Sequence, residues 1–326
     1  MARSWDPAGT AHIQVRILAA PPLPTSYTSQ DGSEMTFIFE PAVKAALKAR
    51  AVIEGPGGCG KTWTALVLAG AFGERTAVVD TQNRQSLHYA SLFAFDALHL
   101  RSFDPATLFD VIAAAEGYDT LIIDSGSSFW SGTDGMLEQV DRRAGFTGGG
   151  WKDMRPVERR MLDALMAYSG HLIVTLRVKT GYVVEENESG KQKPRKVGLK
   201  PEQRDGFDYE FDLVLSMDAD NTAMVTKTRC PTLAGQVIRK PGPELGTLFL
   251  DWLSDGKQEK TATEFRDEAL QKYQTADSLR DLWREANRAN RVSAPLTDEN
   301  ANPTTLGEMI VRLGQEAAAR EKGQPA

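Results

Sequence analysis

Cysteine and long apolar runs are both scarce in this chain, and each shortage excludes something. Only Cys59 and Cys230 occur in 326 residues, far apart in sequence, which points to neither a disulfide framework nor a zinc site. No apolar stretch approaches the roughly 20 residues needed to cross a bilayer. The N-terminal residues also lack a secretory signal's apolar core, so the expected location is the cytoplasm, with no membrane partner. Net charge is only −6, which argues against wholesale coating of nucleic acid while leaving room for local basic patches. The length suits one large α/β domain with a smaller appendage.

What is present is concentrated in Gly55-Pro56-Gly57-Gly58-Cys59-Gly60-Lys61-Thr62. This run fits the phosphate-binding pattern G-x-x-x-x-G-K-[ST], and its context fits as well. The apolar Ala51-Val52-Ile53 precedes it, and Thr64-Ala65-Leu66-Val67-Leu68-Ala69 follows as a helix. Glycines let backbone N–H groups curl around phosphate oxygens, and the helix N-terminus adds positive potential. Lys61 is then expected on the β- and γ-phosphates of ATP, and the Thr62 hydroxyl on Mg²⁺. A chance Gly-rich turn is the bland alternative, and the strand before it and the helix after it disfavour that.

Strand and helix signals alternate over residues 36–256, as in βαβ units. Strands are expected at Arg75–Asp80, Thr120–Asp124, His171–Leu176, Leu213–Leu215 and Ala223–Val225. Helices are expected after Asp104-Pro105, from Pro156 to Ser169, and from Glu244 to Leu253. Residues 1–35 read as an arm with one strand at His12–Leu18. Residues 257–326 read as a charged, helical C-terminal region, in which Asp277 looks like an N-cap.

Leu121-Ile122-Ile123-Asp124 fits the second nucleotide motif, in which a buried strand presents a carboxylate to the Mg²⁺ shell beside Thr62. With Ser125 following Asp124, the chain resembles the RecA family. Val225-Thr226-Lys227-Thr228-Arg229-Cys230-Pro231 resembles that family's strand with two alternate basic residues. Lys179–Asn187, Gln203-Arg204-Asp205-Gly206 and Tyr209-Glu210-Phe211 are similar to RecA-like ATPases of bacteriophages, often described as AAA-family recombination proteins. The resemblance covers about residues 40–255. It implies an α/β fold: a RecA-like P-loop core with a mostly parallel sheet flanked by helices, plus the small helical C-terminal region. It further implies ATP hydrolysis between subunits of a homo-oligomer and action on single-stranded DNA, with a single-strand-binding or annealing protein as a further partner. The location would then be the host cytoplasm.

The resemblance also distributes roles. Lys227 and Arg229 would enter a neighbour's nucleotide site; solvated edge-strand charges are the alternative. Thr175 and Arg177, after the fourth strand, would sense the γ-phosphate, unless Arg177 is only an ion-pair partner. The glutamate that polarises the attacking water in that family is replaced by Gln82, which can orient water but cannot take its proton. Asp80 is a candidate substitute base, unless the alignment is off by a residue or Gln82 is merely a polar residue at a strand end. A general base contributes about 10²–10⁴ in rate, so slow turnover is expected.

Two segments are candidates for DNA. Gly145–Lys152 carries Trp151 and Lys152 where RecA relatives place a first DNA loop, and aromatic rings stack on unpaired bases; Trp151 could equally anchor the next helix. Lys191, Lys193, Arg195, Lys196, Lys200 and Arg204 form a basic run in a hairpin, opposed only by Glu202, where solvation is the alternative. In the tail, Arg280, Arg284 and Arg288 repeat at four-residue spacing on another face from an apolar stripe, the pattern of a docked amphipathic helix with a solvated basic face, with a DNA- or partner-binding helix as the alternative. A DnaB-like ring helicase and a nucleotide-gated binding module with little hydrolysis are the rival readings.

Overall fold

The structure is a computed structural model that describes residues 25–28, 34–37, 43–144, 149–186, 192–257, 259–271 and 274–322. For 25–28, 34–37, 180–186 and 192–197 it describes the backbone alone. The chain falls into two units, Met1–Lys44 and Ala45–Ala326. In the first, β1 (Thr25–Thr28) and β2 (Glu34–Phe37) form an antiparallel hairpin. The strand expected at His12–Leu18 lies outside the described residues.

The second unit is built on one sheet. Its first half runs β3 (Arg50–Gly55), α1 (Lys61–Phe72), β4 (Thr76–Asp80), β5 (Asp96–His99), α2 (Pro105–Ala114) and β6 (Thr120–Asp124). Then come α3 (Ser127–Ser131), α4 (Met136–Ala144), α5 (Gly150–Ala167) and the long hairpin of β7 (His171–Glu186) and β8 (Gln192–Pro201). β9 (Leu213–Met217), β10 (Thr222–Thr228), β11 (Val237–Arg239) and α6 (Pro243–Ser254) close the sheet region. The strand order is β11-β10-β9-β3-β7-β6-β4-β5, with β8 paired to β7. From β9 to β5 all neighbours are parallel, whereas β10, β11 and β8 join antiparallel.

Alternation along the strands divides the core into two layers. Ile53, Val78, Ile122, Ile173 and Leu215 pack towards α1 and α6. Val52, Val79, Leu121, Ile123 and Val174 pack towards α2 and α5. Burial on both faces explains why these strands read as continuous apolar runs. The expected α/β class, with a mostly parallel sheet flanked by helices, is what the structure shows.

Some local expectations need correction. The helix expected from Pro156 begins at Gly150, and Pro156 lies inside it. Packing decides this: a Cβ at Gly150 would stand 2.1 Å from the Val140 carbonyl, and Met154 is buried with Met136 and Val140. Thr175 and Arg177 lie within β7 rather than after it.

The C-terminal part holds α7 (Ala262–Ala269), α8 (Ala276–Arg288), β12 (Pro295–Thr297), β13 (Pro303–Thr305) and α9 (Leu306–Glu321) around its own apolar cluster. It therefore includes a hairpin besides the expected helices. Helix α8 is capped by Thr275, whose side chain accepts from the Ser278 N–H, and not by Asp277. Asp277 pairs instead with Arg280, and Asp281 pairs with Arg284 at 2.8 Å, which neutralises much of the basic face. Glu116, just beyond α2, fastens this part to the sheet: it pairs with Arg266 and accepts from the Thr297 N–H at 3.1 Å.

Candidate functional site

At the C-terminal end of β3 the chain turns through residues 56–60 into α1. Gly58 and Gly60 adopt left-handed backbone with φ of 80° and 87°, which favours glycine. Gly55 is required for a different reason: a Cβ there would lie 2.8 Å from the Met217 carbonyl. The start of α1 has no capping side chain and no acidic residue in its first turn, and a Cβ at Gly57 or Gly58 would meet nothing within 4 Å. Uncapped N–H groups under an open, glycine-lined surface fit a phosphate chain. The Lys61 ammonium donates to the carbonyls of Gly55 at 2.9 Å and Pro56 at 2.7 Å, beside the buried Cys59 thiol.

Asp124 ends β6 and is buried. Its Oδ2 accepts from the Thr62 hydroxyl at 2.6 Å, and its Oδ1 accepts from the Gln82 amide at 3.1 Å and from the Thr175 hydroxyl. Strand order explains the convergence, because β7 lies between β3 and β6 and so places Thr175 between the loop and Asp124. Thr62 and Asp124 are adjacent oxygen donors of the kind that suit Mg²⁺.

The second carboxylate is occupied differently. Asp80 is buried at the end of β4, where it accepts from the N–H groups of Gln82 at 2.7 Å and Ser86 at 2.8 Å. It thus shapes the turn that carries Gln82, while Gln82 itself reaches Asp124. Arg177 pairs with Glu202 at 3.3 Å, and its N–H donates to the Ser127 hydroxyl at 3.0 Å. The base of the β7–β8 hairpin is thereby tied to the segment following Asp124, with Gln203 reaching the Gly126 carbonyl at 3.4 Å.

Lys227 and Arg229 stand apart from this cluster. Lys227 pairs with Val214 of β9, which itself pairs with Val52, back along β3 from the loop. Its ammonium donates to the carbonyls of Asp208 at 2.6 Å and Tyr209 at 2.7 Å, and burial, with Arg229 nearby, lowers its pKa. Arg229 pairs with Asp212 at the start of β9. Neither side chain meets the loop of its own chain.

Of the DNA candidates, Trp151 and Lys152 lie in the first turn of α5, and the Trp151 ring packs on Trp130 at 5.8 Å. Residues 145–148 and Lys191 lie outside the described residues. Lys193, Arg195 and Lys196 lie on β8, with their side chains outside the description. Sequence reasoning missed two neighbours of the loop. Trp63, partly exposed, packs edge-on against Tyr89 and Phe93 at 5.9 and 5.0 Å; its place directly after Thr62 was the available signal. Asn221 stands against Gly60.

A parallel sheet, a glycine loop opening a helix and a buried aspartate on a second strand define a P-loop NTPase core. A family model described as an AAA domain matches residues 47–237, and the chain belongs to that family. No curated protein matches the chain. Among the described residues no helix is long and apolar enough to cross a membrane.

Proposed function

We propose that this chain is an ATP-hydrolysing, RecA-like protein of the phage recombination type that acts on single-stranded DNA as an oligomer. The observation that carries the nucleotide chemistry is the 2.6 Å contact between the Thr62 hydroxyl and Asp124, beneath the uncapped start of α1. Those two groups would hold Mg²⁺, which supplies neutralisation of phosphate charge. Lys61 binds and orients the triphosphate. Gln82 orients the attacking water from its place against Asp124, and Thr175 fixes the carboxylate.

Lys227 and Arg229 support the oligomeric part of the reading. Their partners within the chain are Asp208, Tyr209 and Asp212 and not the loop, so a role on phosphate would fall to a neighbour's site, where a positive finger supplied in trans contributes about 10³–10⁵ in rate. The basic β8 segment and Trp151 would take the DNA. The tie from Arg177 and Gln203 to residues 126–127 gives DNA on the hairpin a short route to Asp124. The decisive measurement is ATP turnover with and without single-stranded DNA, alongside particle mass. Stimulated turnover by an oligomer is expected, with activity regained when Lys61→Ala and Lys227→Ala subunits are mixed. DNA-independent turnover by a monomer would overturn the reading.

A second reading, a nucleotide-gated binding module with little hydrolysis, is favoured by one observation. The side chain beside Asp124 is the Gln82 amide, which cannot take a proton from water, and the nearby Asp80 carboxylate is bound to main-chain N–H groups.

A further inference from the structure

The turn between β9 and β10 reads Asp218-Ala219-Asp220-Asn221, and it lies against the phosphate loop. A Cβ built on Gly60 would stand 2.9 Å from the Asn221 side-chain nitrogen, so this carboxamide closes directly on the residue before Lys61. The Asn221 side chain has no hydrogen-bond partner among the described residues. The turn is held in shape from within: the Asp218 carboxylate accepts from the N–H groups of Asp220 and Thr222, both at 2.9 Å.

The backbone of the turn sets where the carboxamide stands. Asn221 has φ of 60°, and Lys240, whose N–H donates to the Asn221 carbonyl at 2.8 Å, has φ of 48°. Asparagine takes this left-handed conformation more readily than most residues, so the turn accommodates the side chain where it stands. The two acids of the turn are exposed, and the residue that faces the loop is the uncharged one. A carboxylate in that position would repel a phosphate chain; a carboxamide offers it two donors.

We propose that Asn221 is a nucleotide-binding residue, its amide donating to an anionic oxygen of the nucleotide wrapped by residues 55–62. The inference rests on the nucleotide reading above. The test is titration of the full chain with a fluorescent ATP analogue, together with melting of the nucleotide-free protein. Asn221→Asp keeps the shape and the tolerance for left-handed backbone but reverses the electrostatics. It is expected to weaken binding more than tenfold, and most at low salt. Asn221→Gly, which keeps the backbone and removes the donor, is expected to weaken binding about tenfold, the loss of one bond to a charged partner. Both should melt within a few degrees of wild type.

Wild-type affinity in Asn221→Asp would overturn the proposal, as would a loss confined to variants that melt early. Absence of binding by the wild-type chain would instead overturn the nucleotide reading itself, and this proposal with it. Binding that Lys61→Ala abolishes and Asn221→Asp leaves intact would remove Asn221 alone.

Discussion

The two ends of the parallel sheet each bury a charged or titratable group, and they surround it with different partners. At the N-terminal end, Arg50 of β3 donates five hydrogen bonds, all to main-chain carbonyls: Ala49, Gly170, Tyr168 and, twice, Met166. Beside it, His171 of β7 accepts from the Ala49 N–H at 2.9 Å and stacks on Phe72. At the C-terminal end, Asp124 is met by three side chains, Thr62 of α1, Thr175 of β7 and Gln82 of the turn after β4. A guanidinium has five donors, so Arg50 is saturated by groups that cannot turn away. The partners of Asp124 are rotatable, and next to them lies a helix start without a cap. One end is closed architecture; the other can exchange its contacts for a ligand's.

The largest expected effect tests the open end. Lys61→Ala should reduce ATP binding below detection while the melting temperature stays within a few degrees. The buried Lys61 side chain gives up its hydrogen bonds to Gly55 and Pro56, at about 1 kcal/mol each, and a longer contact with the Cys59 thiol. A folded variant with wild-type affinity would place the nucleotide elsewhere and dissolve the contrast.

Arg50→Met tests the closed end. It leaves the Met166, Tyr168 and Gly170 carbonyls without this donor, and at about 1–3 kcal/mol for each unmet group the cost is at least about 3 kcal/mol. The urea midpoint should fall accordingly, while nucleotide affinity of the remaining folded protein stays unchanged. A stable variant with impaired ATP binding would mean that the two ends are coupled.

This contrast also governs how much was legible in sequence. The loop was readable because its function needs particular residues in one contiguous run, and Asp124 because a strand of apolar residues ended there. Arg50 and His171 gave no signal, since their partners are backbone groups, which any sequence supplies. The cap of α8 was misplaced by two residues because Thr275 and Asp277 are both good caps in isolation, and only the reciprocal bond with Ser278 decides between them. Asn221 was invisible because its turn approaches Gly60 only through the pairing of β9 with β3.

The third test is a pH dependence at the closed end. Burial, with Lys48 and Arg50 adding to it, pushes His171 down to about 3. The folded state then holds this imidazole neutral where the unfolded chain, near 6.5, takes up a proton. Stability from this group is fully present above about pH 6.5 and declines as pH falls towards 3, with a slope of at most about 1.4 kcal/mol per pH unit. His171→Gln should flatten that part of the urea-midpoint profile. An unchanged profile would mean that the acid sensitivity arises elsewhere.

The smallest effect probes the one residue in which the open end departs from the resemblance. Gln82→Glu replaces an amide that donates to Asp124 at 3.1 Å with a second carboxylate at the same place. Two like charges so close disfavour ionisation of both. In EDTA the variant should lose about 1 kcal/mol of stability, the scale of one hydrogen bond, and millimolar Mg²⁺ should restore it by sharing a cation between the carboxylates. Turnover should rise, but by less than the about 10²–10⁴ of a base in a site shaped for it, since Asp80 and Ser86 still hold the turn for an amide. If the unfolding midpoint ignores both EDTA and Mg²⁺, Gln82 does not stand on Asp124 in solution. The open end would then be held by Thr62 and Thr175 alone.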